Sequence, residues 1–85
     1  MKNTISQKQI DDTFKESTLN EFIAFNKCLI VSCKLPNGFV ITESSACVDV
    51  DNFNLEIGRN ICTDRIKNKL WELEGYKLQC ELNKS

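Results

Sequence analysis

From about residue 50 to residue 74 the chain contains no proline, and its composition suits one long helix. Asp49 is a good N-cap for it, and Asp51 falls in a first turn that favours acidic side chains. Gly58 and Gly75 are its two weak points. Gly75 is expected to end or bend the helix, with YKLQCEL following as a short helix or an extended tail. At about 100° per residue, Phe53, Ile57, Ile61 and Trp71 fall in one sector. Leu55, Cys62, Ile66, Leu70 and Leu73 fall in another, roughly opposite. A helix with two apolar faces strains a chain of 85 residues, which buries only about 60–65% of its unfolded surface. Either the helix bends at Gly58 and the rest of the chain wraps it, or one face meets its own sheet and the other a second subunit. The pattern favours the second arrangement, with Gly58 permitting close approach of backbones.

Upstream, residues 27–34 (KCLIVSCK) and 38–43 (GFVITE) read as strands. Between them Asn37-Gly38 is a strong hairpin signal, because both residues tolerate positive φ, and Pro36 fixes φ just before it. A lone hairpin is marginal in water. ACV, residues 46–48, is expected to add a short third strand after a bend at Ser44-Ser45. Residues 3–16 read as a thin amphipathic helix with Ile5, Ile10 and Phe14 on its stripe and Thr4 or Asn3 as cap. ESTLNEF then reads as a connection or a broken continuation of that helix. The expected fold is α+β in one domain: an N-terminal helical segment over 1–26, a β-hairpin region over 27–48 and a C-terminal helical region over 49–85.

Eleven basic residues against twelve acidic leave a net charge near −1. That balance gives no general attraction to a nucleic acid polymer or an anionic membrane. The start, MKNTISQKQIDDTF, is polar and unlike a signal peptide, and the longest apolar run, residues 28–31, is far too short for a membrane span. The expectation is a soluble, cytoplasmic protein. Five cysteines without a C-x-x-C pair, and no histidine, argue against both a zinc site and a secreted disulfide framework. They read as free thiols acting as small hydrophobes. No cofactor is implied.

The chain offers no nucleophile–base pair, since histidine is absent and no Ser or Cys sits in a recognisable elbow. An enzyme is not expected. Arg59 and Arg65 are the only arginines, and a guanidinium offers the bidentate recognition of phosphate that an ammonium lacks. The plain alternative is a surface salt bridge with Glu56 or another helical carboxylate. Phe39, just after the turn, is placed to stack on a ring. Ser45 lies among the hydroxyls of TESSA beside Glu43, a group that can bind a polar ligand or satisfy the backbone at a strand end. Asn52 sits at the helix start, where capping is the ordinary role. Phe39, Ser45, Asn52, Arg59 and Arg65 are therefore the candidate ligand-binding residues.

NGFVITESSACVDVDNFNLEIGRNI and KLWELEGYKLQCEL resemble the phage gene product 49 / gene product 66 family of small phage and prophage proteins. The shared string runs through Asn37-Gly38-Phe39, Glu43 with Ser45-Ala46-Cys47-Val48, Asn52-Phe53, Glu56-Ile57-Gly58-Arg59, and residues 71–76 (WELEGY). It covers residues 28–82 and leaves out the N-terminal segment. Ser44 is an extra residue within the Glu-Ser-Ala-Cys stretch and predicts a shifted register or a bulge there. Some small phage proteins of similar look are anti-defence sponges that sequester, without cleaving, the cyclic nucleotide signals of bacterial immune systems such as Thoeris and CBASS. The resemblance thus implies an oligomer in the host bacterial cytoplasm whose partner is a cyclic nucleotide or cyclic ADP-ribose-like signal molecule, bound in pockets shared between subunits. The rival expectations are a module that binds and inhibits a host protein, and a small virion or assembly component.

Overall fold

In a computed structural model the chain forms a two-layer α+β fold, and the structure describes residues 4–84. Helix α1 (Gln7–Lys15) leads into strands β1 (Thr18–Ala24), β2 (Cys28–Lys34) and β3 (Val40–Ala46). A 3₁₀ turn (Val50–Asn52) then precedes helix α2 (Leu55–Leu82). The strands form one antiparallel sheet in the order β1-β2-β3. The helices lie on one face of it. The expected N-terminal helix, β-hairpin and long C-terminal helix are all present.

Alternation along β2 sets the core. Leu29, Val31 and Cys33 point to the helix side and are buried, joined by Ile41 of β3 and by Leu35 at the turn. Against them α2 presents a four-residue spacing of Gly58, Cys62, Ile66 and Leu70, all buried, and α1 contributes Ile10. Phe14, Phe53, Leu55 and Trp71 pack at the margin. Of the two apolar sectors expected on α2, one is therefore the core seam. The other is shared between half-buried Phe53, Ile61 and Trp71 and exposed Ile57. Gly58 faces a side chain of its own sheet rather than the backbone of a second subunit: a Cβ there would stand 3.3 Å from Leu29 Cδ2.

Several local expectations are corrected. The third strand is β1, formed by the segment read as a broken helix, so the N-terminal helical segment spans only Gln7–Lys15. Its cap is Ser6, whose Oγ accepts from Gln9 N at 3.1 Å; the Asn3 alternative lies outside the described residues. Residues 44 and 45 do not bend. Ser44 pairs with Ile30 and Ser45 with Leu29 in unbroken register, without a bulge, and Ala46 ends the strand. Asp49 caps the 3₁₀ turn by accepting from Asp51 N, while Asn54 caps α2 by accepting from Ile57 N. Gly75 neither ends nor interrupts α2, which continues to Leu82.

The β2–β3 connection is also not a two-residue turn. Gly38 N donates to Leu35 O and Leu35 N to Phe39 O, each at 2.8 Å, and Gly38 alone there has positive φ (95°). The consecutive left-handed pair is instead Phe25 (φ 55°) and Asn26 (φ 57°), closing the β1–β2 hairpin with Lys27 N donating to Ala24 O.

Candidate functional site

The junction of β3, the 3₁₀ turn and the start of α2 encloses a cavity of about 120 Å³. Ser45 and Asn52 both line it, with Cys47, Phe53, Ile57 and Ile61 among its walls. The local sequence explains the shape. The chain leaves β3 at Ala46, and Cys47 N donates back to Lys27 O at 2.9 Å. The 3₁₀ turn then returns the backbone to α2, and Cys47 Sγ reaches Asn52 O at 3.6 Å. A mostly apolar hollow results, with one hydroxyl and two amides, Asn52 and Asn54, among its lining residues.

Arg65 stands beside this hollow. It lies one helical turn after the lining residue Ile61, and its Nη1 donates to the carbonyl of Ser44 at 2.6 Å. A guanidinium carries five N–H donors, so this single anchor orients the group without exhausting it. One turn further, Lys69 pairs with Glu43 at 3.6 Å. Beyond it Phe39, Lys69, Glu72 and Leu73 border a second, open depression of about 270 Å³. Phe39 is half-exposed there, but six residues of extended chain separate it from Ser45, on the order of 20 Å.

Arg59 is elsewhere. Six residues from Arg65, it projects about 120° away around α2 and crosses to β1. Its Nε donates to Glu21 Oε1 and Oε2 at 3.1 and 2.9 Å, and Nη2 donates to Oε1 at 2.8 Å. The Arg59 hydrogen bonds hold the Glu21 carboxyl below its ordinary range and raise the guanidinium in turn. The salt-bridge reading of Arg59 is thus correct in kind, but the partner comes from the unrecognised strand β1 rather than from Glu56. Ser45 and Asn52 share one hollow, Arg65 is anchored outside its lining on the neighbouring Ser44 carbonyl, and Phe39 and Arg59 lie apart. Sequence reasoning missed Ile57, Ile61 and Cys47 as cavity walls. Only the two-sided apolar pattern of α2 hinted at them.

The cysteines are dispersed: Cys33 and Cys62 are buried, Cys28 and Cys47 half-buried, Cys80 exposed. Burial pushes the Cys33 and Cys62 thiols up, as for apolar packing groups. Among the described residues no group of three His, Cys, Asp or Glu side chains is placed to hold a metal ion. Among those residues, too, no helix is long and apolar enough to cross a membrane.

The fold and the hollow define a class: a small two-layer α+β protein with one helix-covered sheet face and a polar-lipped cavity where strand meets helix. The chain belongs to the phage protein (N4 Gp49/phage Sf6 gene 66) family, whose sequence pattern matches residues 2–82. The match takes in α1 and β1, so the N-terminal segment is part of the family pattern, beyond the 28–82 span read from the motifs. No curated protein and no solved structure matches the chain.

Proposed function

We propose that this phage protein is an anti-defence sponge: in the host cytoplasm it binds and sequesters a nucleotide-derived immune signal, a cyclic nucleotide or cyclic ADP-ribose-like molecule, without cleaving it. The observation that carries this reading is that Ser45 and Asn52 line one hollow while Arg65 is anchored on the adjacent Ser44 carbonyl. A hydroxyl and an amide suit a ribose or base edge, and a guanidinium suits a phosphate. The walls of Phe53, Ile57 and Ile61 suit a flat ring. Small-molecule sites usually enclose about 300–1,000 Å³, so a hollow of about 120 Å³ takes one moiety and leaves the rest to be covered. Another copy of the chain supplies the remaining walls, and Phe39 reaches a ligand only from such a copy. Arg59, with its fork committed to Glu21, serves the fold rather than the ligand.

Thermal shift with cyclic oligonucleotides and cyclic ADP-ribose isomers tests this. A rise in midpoint that grows with ligand concentration is expected. Arg65→Ala and Asn52→Ala should abolish it, and Arg59→Ala should not. No shift with any such signal at millimolar concentration contradicts the reading.

A second reading, a module that binds and inhibits a host protein, draws on one feature. Phe25 and Val48, 87% and 98% exposed, stand at the same end of the sheet, tied by Lys27, whose Nζ donates to Val48 O and whose carbonyl accepts from Cys47 N. A stoichiometric host partner captured by the wild type and lost in Val48→Lys would favour it over the sponge.

A further inference from the structure

The two edges of the sheet are treated differently. Edge strands invite pairing with another chain, and proteins guard them with charges, proline, bulges or a covering element. On β3 the guard is visible: α2 runs alongside, Arg65 occupies the Ser44 carbonyl, and Lys69 pairs with Glu43. On β1 it is reduced to the single Arg59–Glu21 pair. Thr18–Ala24 holds neither proline nor lysine and keeps an unbroken register with β2 over all seven residues. Its one charge, Glu21, is neutralised within the chain by Arg59. Both faces of the strand carry bare apolar groups: Leu19 (41% exposed) and Ile23 (51%) on the helix side, and Phe22 (58%) on the open side.

The surface area points the same way. A compact monomer of 9.8 kDa exposes about 5,200 Å². This chain exposes 6224 Å², an excess of roughly 1,000 Å². A standard specific interface removes about 800 Å² from each partner. The excess is large enough to accommodate one stable contact with a second copy.

We propose that β1 is a self-association edge: two copies pair their β1 strands antiparallel about a two-fold axis, joining their sheets into one of six strands. An isologous contact of this kind places the same patch on both sides. The register with Phe22 opposite Phe22 sets an aromatic pair on the axis. It faces each Glu21 with Ile23 of the other copy, so that the two carboxylates do not meet. The contact leaves the β3 side and its hollow open, so it stands or falls independently of the ligand reading. It makes the number of copies in any assembly even.

Sedimentation of the full chain without ligand tests the edge. The wild type is expected at an even multiple of the chain mass. Phe22→Lys, a change at an exposed position, is expected to halve that mass while far-ultraviolet circular dichroism keeps its helical signal. Val48→Lys is expected to leave the mass unchanged. To locate the contact, Phe22→Cys in a Cys80→Ser background is expected to give an oxidised dimer through position 22. A wild type that sediments as a single chain at about 100 μM, where a micromolar contact is largely formed, would overturn the proposal. So would a Phe22→Lys variant that keeps both its fold and the full mass.

Discussion

Phe25 holds φ at 55° while its ring is almost wholly in solvent. A left-handed conformation costs a residue with a Cβ roughly 1–2 kcal/mol, and no burial offsets it here. Asparagine tolerates this region far better. Phe25→Asn is therefore expected to stabilise the fold by about 1 kcal/mol, read as a higher urea midpoint with unchanged slope. Glu21 is held by charge rather than by backbone conformation. Its folded-state pKa is depressed by Arg59, so its contribution is fully present above the ordinary carboxylate range. That contribution is lost as pH falls through the depressed value. Glu21→Gln should be less stable than the wild type at neutral pH, and the two should converge as pH falls through the depressed carboxyl's titration. A gap that stays constant with pH would show that the pair adds nothing through charge.

At the scale of elements, the two glycines of α2 are opposites. Nothing lies within 4 Å of a Cβ built at Gly75, so Gly75→Ala should add about 0.5–1 kcal/mol through helix propensity. At Gly58 the same atom would meet Leu29, which is fully buried. Gly58→Val is expected to cost about 1–3 kcal/mol by overpacking. Thermal midpoints of the two variants should move in opposite directions. The sequence set Gly58 apart as a point of close approach but misplaced Gly75 at a helix end or bend, because what distinguishes them is Leu29, a neighbour 29 residues from Gly58. The long helix, β2 and the first half of β3 were legible, since their apolar periods agree with their propensities. Strand β1 was not: TLNEFIA mixes helix-forming and polar residues, and its turn is built from Phe25-Asn26, which lacks the glycine that marks such turns. Missing β1 also hid the partner of Arg59. Of the five residues chosen from the sequence, Ser45 and Asn52 line the hollow, Arg65 stands beside it, and Phe39 and Arg59 lie elsewhere. The meeting of Ser45 and Asn52 depends on the path of residues 47–54, which no local signal specified.

As a whole the molecule is a rod, 55 × 19 × 18 Å, because 28 residues of α2 span about 42 Å and seven-residue strands only about 23 Å. That mismatch produces the surplus surface and the uncovered strand β1. If self-association removes that surface, the folded state is linked to protein concentration. The thermal midpoint of the free protein should then rise over a hundredfold increase in chain concentration, and Phe22→Lys should flatten the dependence.

The proposed role is capture without chemistry at the hollow lined by Ser45 and Asn52, beside Arg65. Equilibrium dialysis against cyclic ADP-ribose isomers and cyclic oligonucleotides, followed by denaturation and mass analysis of the released ligand, tests it most directly. Retention of one such signal in stoichiometric amount, released unaltered and lost in Arg65→Ala, is the predicted result. Failure to retain any of them, or release of a cleaved product, would contradict it.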